Sequence, residues 1–168
     1  MKAARWILTI LAAIGLSGCF TSTTPLVTDA NAVAPYEKIS FATVKQPEDW
    51  KTLVRKGKAY TTVTDDGEPF ELRLRPFGDD LYLAQASSET KGQAYTLYAF
   101  VKLDPDKKTA IAYKAIVEVE KDAGDGLASC KFDKMTVICV EDVNAYLALA
   151  QAAMKAGRAD MVYLVKLE

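Results

Sequence analysis

The residues with chemistry to offer are few: Cys19, Cys130 and Cys139; Arg73 and Arg75; and the aspartate pairs Asp65–Asp66 and Asp79–Asp80. No histidine occurs in the chain. That excludes Ser-His-Asp and Cys-His catalysis, His-ligated zinc, and the side chain most often used as a general base. No Gly-rich phosphate loop is present. Carboxylate-only chemistry of the glycosidase kind survives. Each aspartate pair, however, sits beside glycine, where acids shape turns. Neither "DPDK" nor "DAGDG" runs on to a twelve-residue calcium loop closed by Glu. The expectation is a non-enzyme with no catalytic residue, no metal and no cofactor.

Two features could bind a ligand. Arg73 and Arg75 share one face of a strand with Glu71, and could grip a carboxylate or phosphate. A solvated outer face is the plainer reading. Tyr60, Tyr82, Tyr95, Tyr98, Tyr113 and Tyr163 fall on several strands and could line an apolar or glycan-binding cavity, or pack the core. Arg73, Arg75, Tyr95 and Tyr113 are therefore the candidate ligand-binding set.

The later cysteines lie in "LASCKFDKMTVICV". A two-residue turn at Lys134-Met135 sets Cys130 opposite Cys139 and Phe132 opposite Val137, on one face. Lys-Met is not a favoured hairpin turn, and a wider loop with the same pairing is also open. A Cys130–Cys139 disulfide follows in an exported protein. Closing a loop of about ten residues contributes roughly 2.7 kcal/mol. The spacing rejects a CxxC redox or metal motif.

Export is read from the amino terminus. Lys2 and Arg5 precede an apolar run from Trp6 to Leu16, then small residues, which is the pattern of a secretory signal. A spanning helix needs about 20 apolar residues, and this run meets Thr21, Ser22, Thr23 and Thr24 too early. Leu16-Ser17-Gly18-Cys19 resembles the lipobox of bacterial lipoproteins at all four positions. The resemblance implies a diacylglycerol thioether on Cys19 and cleavage just before it. Phe20, in place of the Asp that retains many lipoproteins at the inner membrane, implies the outer membrane in a Gram-negative cell; the expected location is an outer-membrane lipid anchor with the domain facing the periplasm. Cys19 is then an attachment point, and no nucleophilic thiol is left over.

The expected organisation is a signal at 1–18, a lipidated Cys19 with a flexible tether through 35, and a domain at 36–168. Removing 1–18 takes away two bases and no acids, leaving 19 basic against 22 acidic residues. There is no basic surplus for nucleic acid. The tether, "FTSTTPLVTDANAVAP", could reach roughly 50 Å when extended.

Within the domain, "QPEDWKTLVRKG" predicts a short helix. Pro47 stands at its start, acids and bases are ordered along its dipole, Gly57 closes it, and Trp50, Leu53 and Val54 form a stripe. Alternation then predicts strands. "AYTTVT" and "PFELRLR" flank Asp65-Asp66-Gly67-Glu68 as a hairpin. "LYLAQAS", "AYTLYAFVKL" and "TAIAYKAIVEV" follow, the last two joined by the turn "DPDKK". A long helix begins after Asp142 and ends at Gly157. A last strand, "DMVYLVKLE", pairs centrally or closes a barrel. The fold class is mainly β (α+β). It is a single antiparallel barrel, or strongly curved sheet, of about eight to nine strands, with one early helix and one helix before the last strand.

This order is similar to the lipocalin layout, although the early Gly-x-Trp of that family is absent: Trp50 follows Glu48-Asp49. The expected function is a lipid-anchored, non-enzymatic envelope protein binding a small apolar ligand or an envelope protein. The alternatives are an inhibitor or assembly factor acting through surface loops, as in small lipid-anchored lysozyme inhibitors, and a carboxylate hydrolase.

Overall fold

The computed structural model describes residues 20–22, 24–64, 67–90, 93–113, 127–132, 135–159 and 161–168. The strands are β1 (Phe20–Thr21), β2 (Lys38–Thr43), β3 (Gln46–Lys56), β4 (Ala59–Val63), β5 (Pro69–Pro76) and β6 (Leu81–Thr90). They continue with β7 (Gln93–Asp104), β8 (Thr109–Tyr113), β9 (Leu127–Phe132) and β10 (Met135–Val140). Helix α1 (Val143–Lys155) and strand β11 (Met161–Leu167) complete the chain.

Eight strands close on themselves in the order β2-β3-β4-β5-β6-β7-β8-β11, with β11 returning to β2. Every neighbour in this ring is antiparallel. The protein is thus a mainly β, closed antiparallel barrel with a helix before its last strand. The long strand β7 also carries a branch. Its residues Phe100 to Asp104 pair with β8, and Tyr98 pairs with Phe20 of β1. β1 runs parallel to β10, which forms a hairpin with β9.

Alternation explains where the apolar residues go, because opposed residues share a face. Tyr60 opposes Leu72, Leu74 opposes Ala84, Ile39 opposes Leu53, and Leu103 opposes Ala110. These residues point inward, and most are buried in two adjoining clusters within the barrel. The intervening residues of β6 and β7 point outward, yet Leu83 and Phe100 are 0% exposed. α1 and the segment before β2 cover them, making a second core outside the wall. There the Phe100 ring meets Phe77 edge-on at 5.2 Å and Tyr146 of α1 at 5.0 Å. Each such side chain buried contributes about 1.5–3 kcal/mol. α1 starts as expected: Asp142 accepts the Asn144 N–H at 2.9 Å, and Gly157 follows the helix at φ +66°.

Three sequence expectations change. The predicted early helix is strand β3. Leu53 opposes Ile39 and is buried, while Val54 is 50% exposed and Lys166 lies over the Trp50 ring at 4.1 Å. Three apolar residues spaced i, i+3, i+4 fit one helical face, but pairing with β2 overrides that local preference. Gly57, expected to close a helix, instead opens the turn between Lys56 and Ala59 with φ +65°, an angle that glycine reaches without strain.

Residues 20–35 are not a free tether. Val27 and Ala32 are 1% and 3% exposed, inside the outer core. The Val27 N–H donates to the buried Gln85 Oε1 at 3.2 Å, and the Leu26 N–H to the Tyr98 hydroxyl at 3.2 Å. Val33 bridges to Leu74 of β5. Thr- and Ser-rich composition suggested a linker; sparse apolar residues and backbone donors matched to side chains on β6 and β7 make it a strap.

The β9–β10 register differs from expectation by two residues. Phe132 pairs with Met135, Cys130 with Val137, and Cys139 with Ala128. β9 ends at Phe132 and β10 begins at Met135, so Met135 is not part of the turn. This leaves Met135, an apolar residue, in the ladder.

Candidate functional site: the barrel lumen

An eight-stranded barrel has an interior just wide enough to be filled by side chains or to hold one small ligand. The side chains decide which. On β6, β7 and β8 the inward positions include Ala84, Ala86, Ala99, Ala110 and Ala112, placed by Ala84 opposing Ala99 and Ala112 opposing Val101. Each projects a single methyl; Ala84, Ala110 and Ala112 are buried against neighbouring side chains, whereas Ala86 and Ala99 stay partly exposed.

At the end where β2 begins, the lumen is filled. Ala34 of the strap and Tyr36 just after it pack among the inward residues, beside Leu74, Tyr82 and Leu167. The Tyr36 N–H donates to the Tyr60 hydroxyl at 3.0 Å, and Tyr60 is 0% exposed. Burial raises the pKa of Tyr36, Tyr60 and Tyr82, and Asp80 adds to the rise at Tyr36 and Tyr82. Further along the strands, Phe70, Leu72, Ala86, Ala99, Met161 and Tyr163 are all inward-facing and all only partly buried. A closed wall with partly exposed apolar residues inside it is a cup with a packed floor.

Tyr163 sets the polar character of this cup. β11 places it opposite Ala110 and Thr43, in line with the buried Val165. Phe41 stands against it edge-on, 5.9 Å between centroids. Burial alone pushes its phenol up to about 12. Its hydroxyl has no hydrogen-bond partner among the described residues. The described buried side chains include no unsatisfied polar atom, so this oxygen is not sealed in protein; it fronts the lumen. Lys51 of β3, opposite Phe41, is paired to Asp49 at 3.2 Å.

The candidate set expected from sequence is not gathered here. Arg73 and Arg75 do share a face with Glu71, but it is the outer face of β5. Arg73 donates to Glu71 at 2.6 Å and to Asp29 of the strap, and these two bonds raise its pKa. Arg75 donates to the Leu26 carbonyl at 3.3 Å and lies over the Phe77 ring at 4.9 Å. Both arginines fasten the strap. Tyr113 is buried in the outer core, as is Tyr98. The Tyr95 side chain lies outside the described residues, although its backbone pairs with Ser88. Of the tyrosines singled out, Tyr60, Tyr82 and Tyr163 face the lumen. Phe41, Met161 and the wall alanines were missed. Alternation marks Tyr163 with Val165 and Leu167, but it does not say which of two apolar faces encloses the lumen.

Cys139 is buried and is not a free thiol. The Cys130 side chain, Cys19, Asp65 and Asp66 lie outside the described residues. Among the described residues, no cluster of carboxylates or cysteines is placed to hold a metal.

The fold and site define a class: a closed eight-stranded antiparallel barrel with a strapped outer wall and a partly filled apolar lumen. No protein-family model, curated protein or solved structure matches the chain.

Proposed function

We propose that this chain is a lipid-anchored, non-enzymatic cell-envelope protein whose barrel carries a small apolar ligand in its lumen. The partly exposed apolar lining above a packed floor supports the binding role more than any other observation. The lipobox at Leu16-Ser17-Gly18-Cys19 supports the anchor, and Phe20 at the next position supports the outer membrane. In this reading Cys19 carries the acyl chains, and Cys130 is the disulfide partner of Cys139. The two lie on neighbouring strands, two residues out of direct register.

Native mass spectrometry of the protein extracted from the bacterial envelope tests all three parts. The expected masses are a chain beginning at Cys19 with added acyl groups, a two-proton deficit from one disulfide, and a dissociable apolar adduct. An unmodified chain beginning elsewhere would overturn the anchor. An acylated chain with no disulfide deficit would overturn the Cys130–Cys139 pair. Failure of the lumen to take up any apolar probe would overturn the carrier role.

A further inference from the structure

Above its packed floor the lumen holds a phenol hydroxyl, that of Tyr163, which no described residue engages. Tyr163 sits on a central strand of the ring, between β2 and β8, flanked by Phe41 and Ala110. An ordinary core tyrosine hydroxyl finds a protein partner, as Tyr60 and Tyr98 do here with the Tyr36 and Leu26 N–H groups. The Tyr163 hydroxyl has none among the described residues and opens onto the lumen. Phenylalanine would pack equally well at such a position and avoid desolvating a hydroxyl. The inward-facing charges described on the nearby wall, Lys51 and Asp49, are paired with each other at 3.2 Å.

We infer that the ligand is an uncharged apolar molecule bearing one hydrogen-bond acceptor, such as a carbonyl or ester oxygen, and that Tyr163 donates to it. This deepens the carrier reading and rests on it. A carboxylate or phosphate at this depth would be desolvated, and Lys51, the inward-facing cation on β3 opposite Phe41, is already paired with Asp49 at 3.2 Å. A pure hydrocarbon would leave the phenol O–H unmatched. A neutral acceptor satisfies the donor and needs no counter-charge. Tyr163 is thus a specificity-determining residue of the cup, beside the partly exposed Ala86 and Ala99 of the wall.

The test uses two probes of equal size, acetylnaphthalene and isopropylnaphthalene, one with a carbonyl acceptor and one without. Each is titrated into the full protein in lipid nanodiscs, with binding read from the methyl resonance of Met161, which faces the same lumen. Probe partitioning into lipid then affects both variants alike. Tyr163→Phe should weaken the ketone by roughly three- to tenfold, the range of one net hydrogen bond, and leave the hydrocarbon unchanged. If both probes bind and Tyr163→Phe changes neither, the hydrogen-bond inference is overturned while the carrier reading stands. If neither probe perturbs Met161 in either protein, the carrier reading itself is overturned.

Discussion

Replacing Val27 by alanine measures whether the strap belongs to the fold. Val27 is 1% exposed and packs in the outer core with Leu83, Tyr98 and Phe100. The substitution removes two buried carbons, at about 0.8 kcal/mol each in transfer. If the surrounding wall does not relax, the cavity adds up to about 1 kcal/mol. The expected loss is therefore about 2 kcal/mol. For a domain of this size that is roughly 4–8 °C in Tm. Val44→Ala is the control: Val44 is 54% exposed in the turn between β2 and β3. Its change should stay within about 0.5 kcal/mol. Thermal and urea unfolding, each followed by circular dichroism and tryptophan fluorescence, give both values on one scale. Equal, small shifts for the two variants would refute the strap, because a mobile leader has no buried methyls to lose.

Tyr60→Phe removes the acceptor of the Tyr36 N–H inside the floor, and should cost about 1–3 kcal/mol in urea unfolding; a neutral result would mean that the floor repacks around another acceptor. The raised pKa of Tyr163 also has a pH signature. Above pH 10 the unfolded chain releases this proton while the folded chain holds it up to about 12. The stability contributed by keeping the phenol neutral is complete below pH 10 and is lost as pH rises through about 12. Tyr163→Phe should flatten the fall in stability across that window, and a slope identical to wild type would refute the assignment.

Much of the barrel was legible because period-two alternation survives wherever one face is apolar and the other is not. β5 is the clear case, with Phe70, Leu72 and Leu74 inward against Glu71, Arg73 and Arg75 outward. β6 and β7 were legible as strands but not as to orientation, because Leu83, Tyr98 and Phe100 are as apolar as the lumen side. Both faces are buried there, so pattern alone cannot say which is inside. β3 was misread for a different reason. Its outward residues, Val54 and Trp50, imitate a helical stripe, and only the neighbouring strand β2 distinguishes the two periods. The strap was missed because its hold is non-local: Gln85, Arg73 and Tyr98 lie far along the chain from the residues they fasten. Arg73 and Arg75 looked like anion ligands for the same reason, since their actual partners are Asp29, Glu71 and a backbone carbonyl.

Phe20 already belongs to the sheet, paired to Tyr98 and Ile138. One peptide link, about 3.8 Å between α-carbons, separates it from Cys19. With acyl chains on Cys19, as proposed, the barrel is moored rather than leashed. It cannot swing out to sample the space beyond the headgroups, and its tumbling is restricted to that of the lipid patch beneath it. Any cargo would be exchanged across a distance comparable to one lipid headgroup, so lateral diffusion in the bilayer, not reach into solution, would set how often this protein meets what it carries.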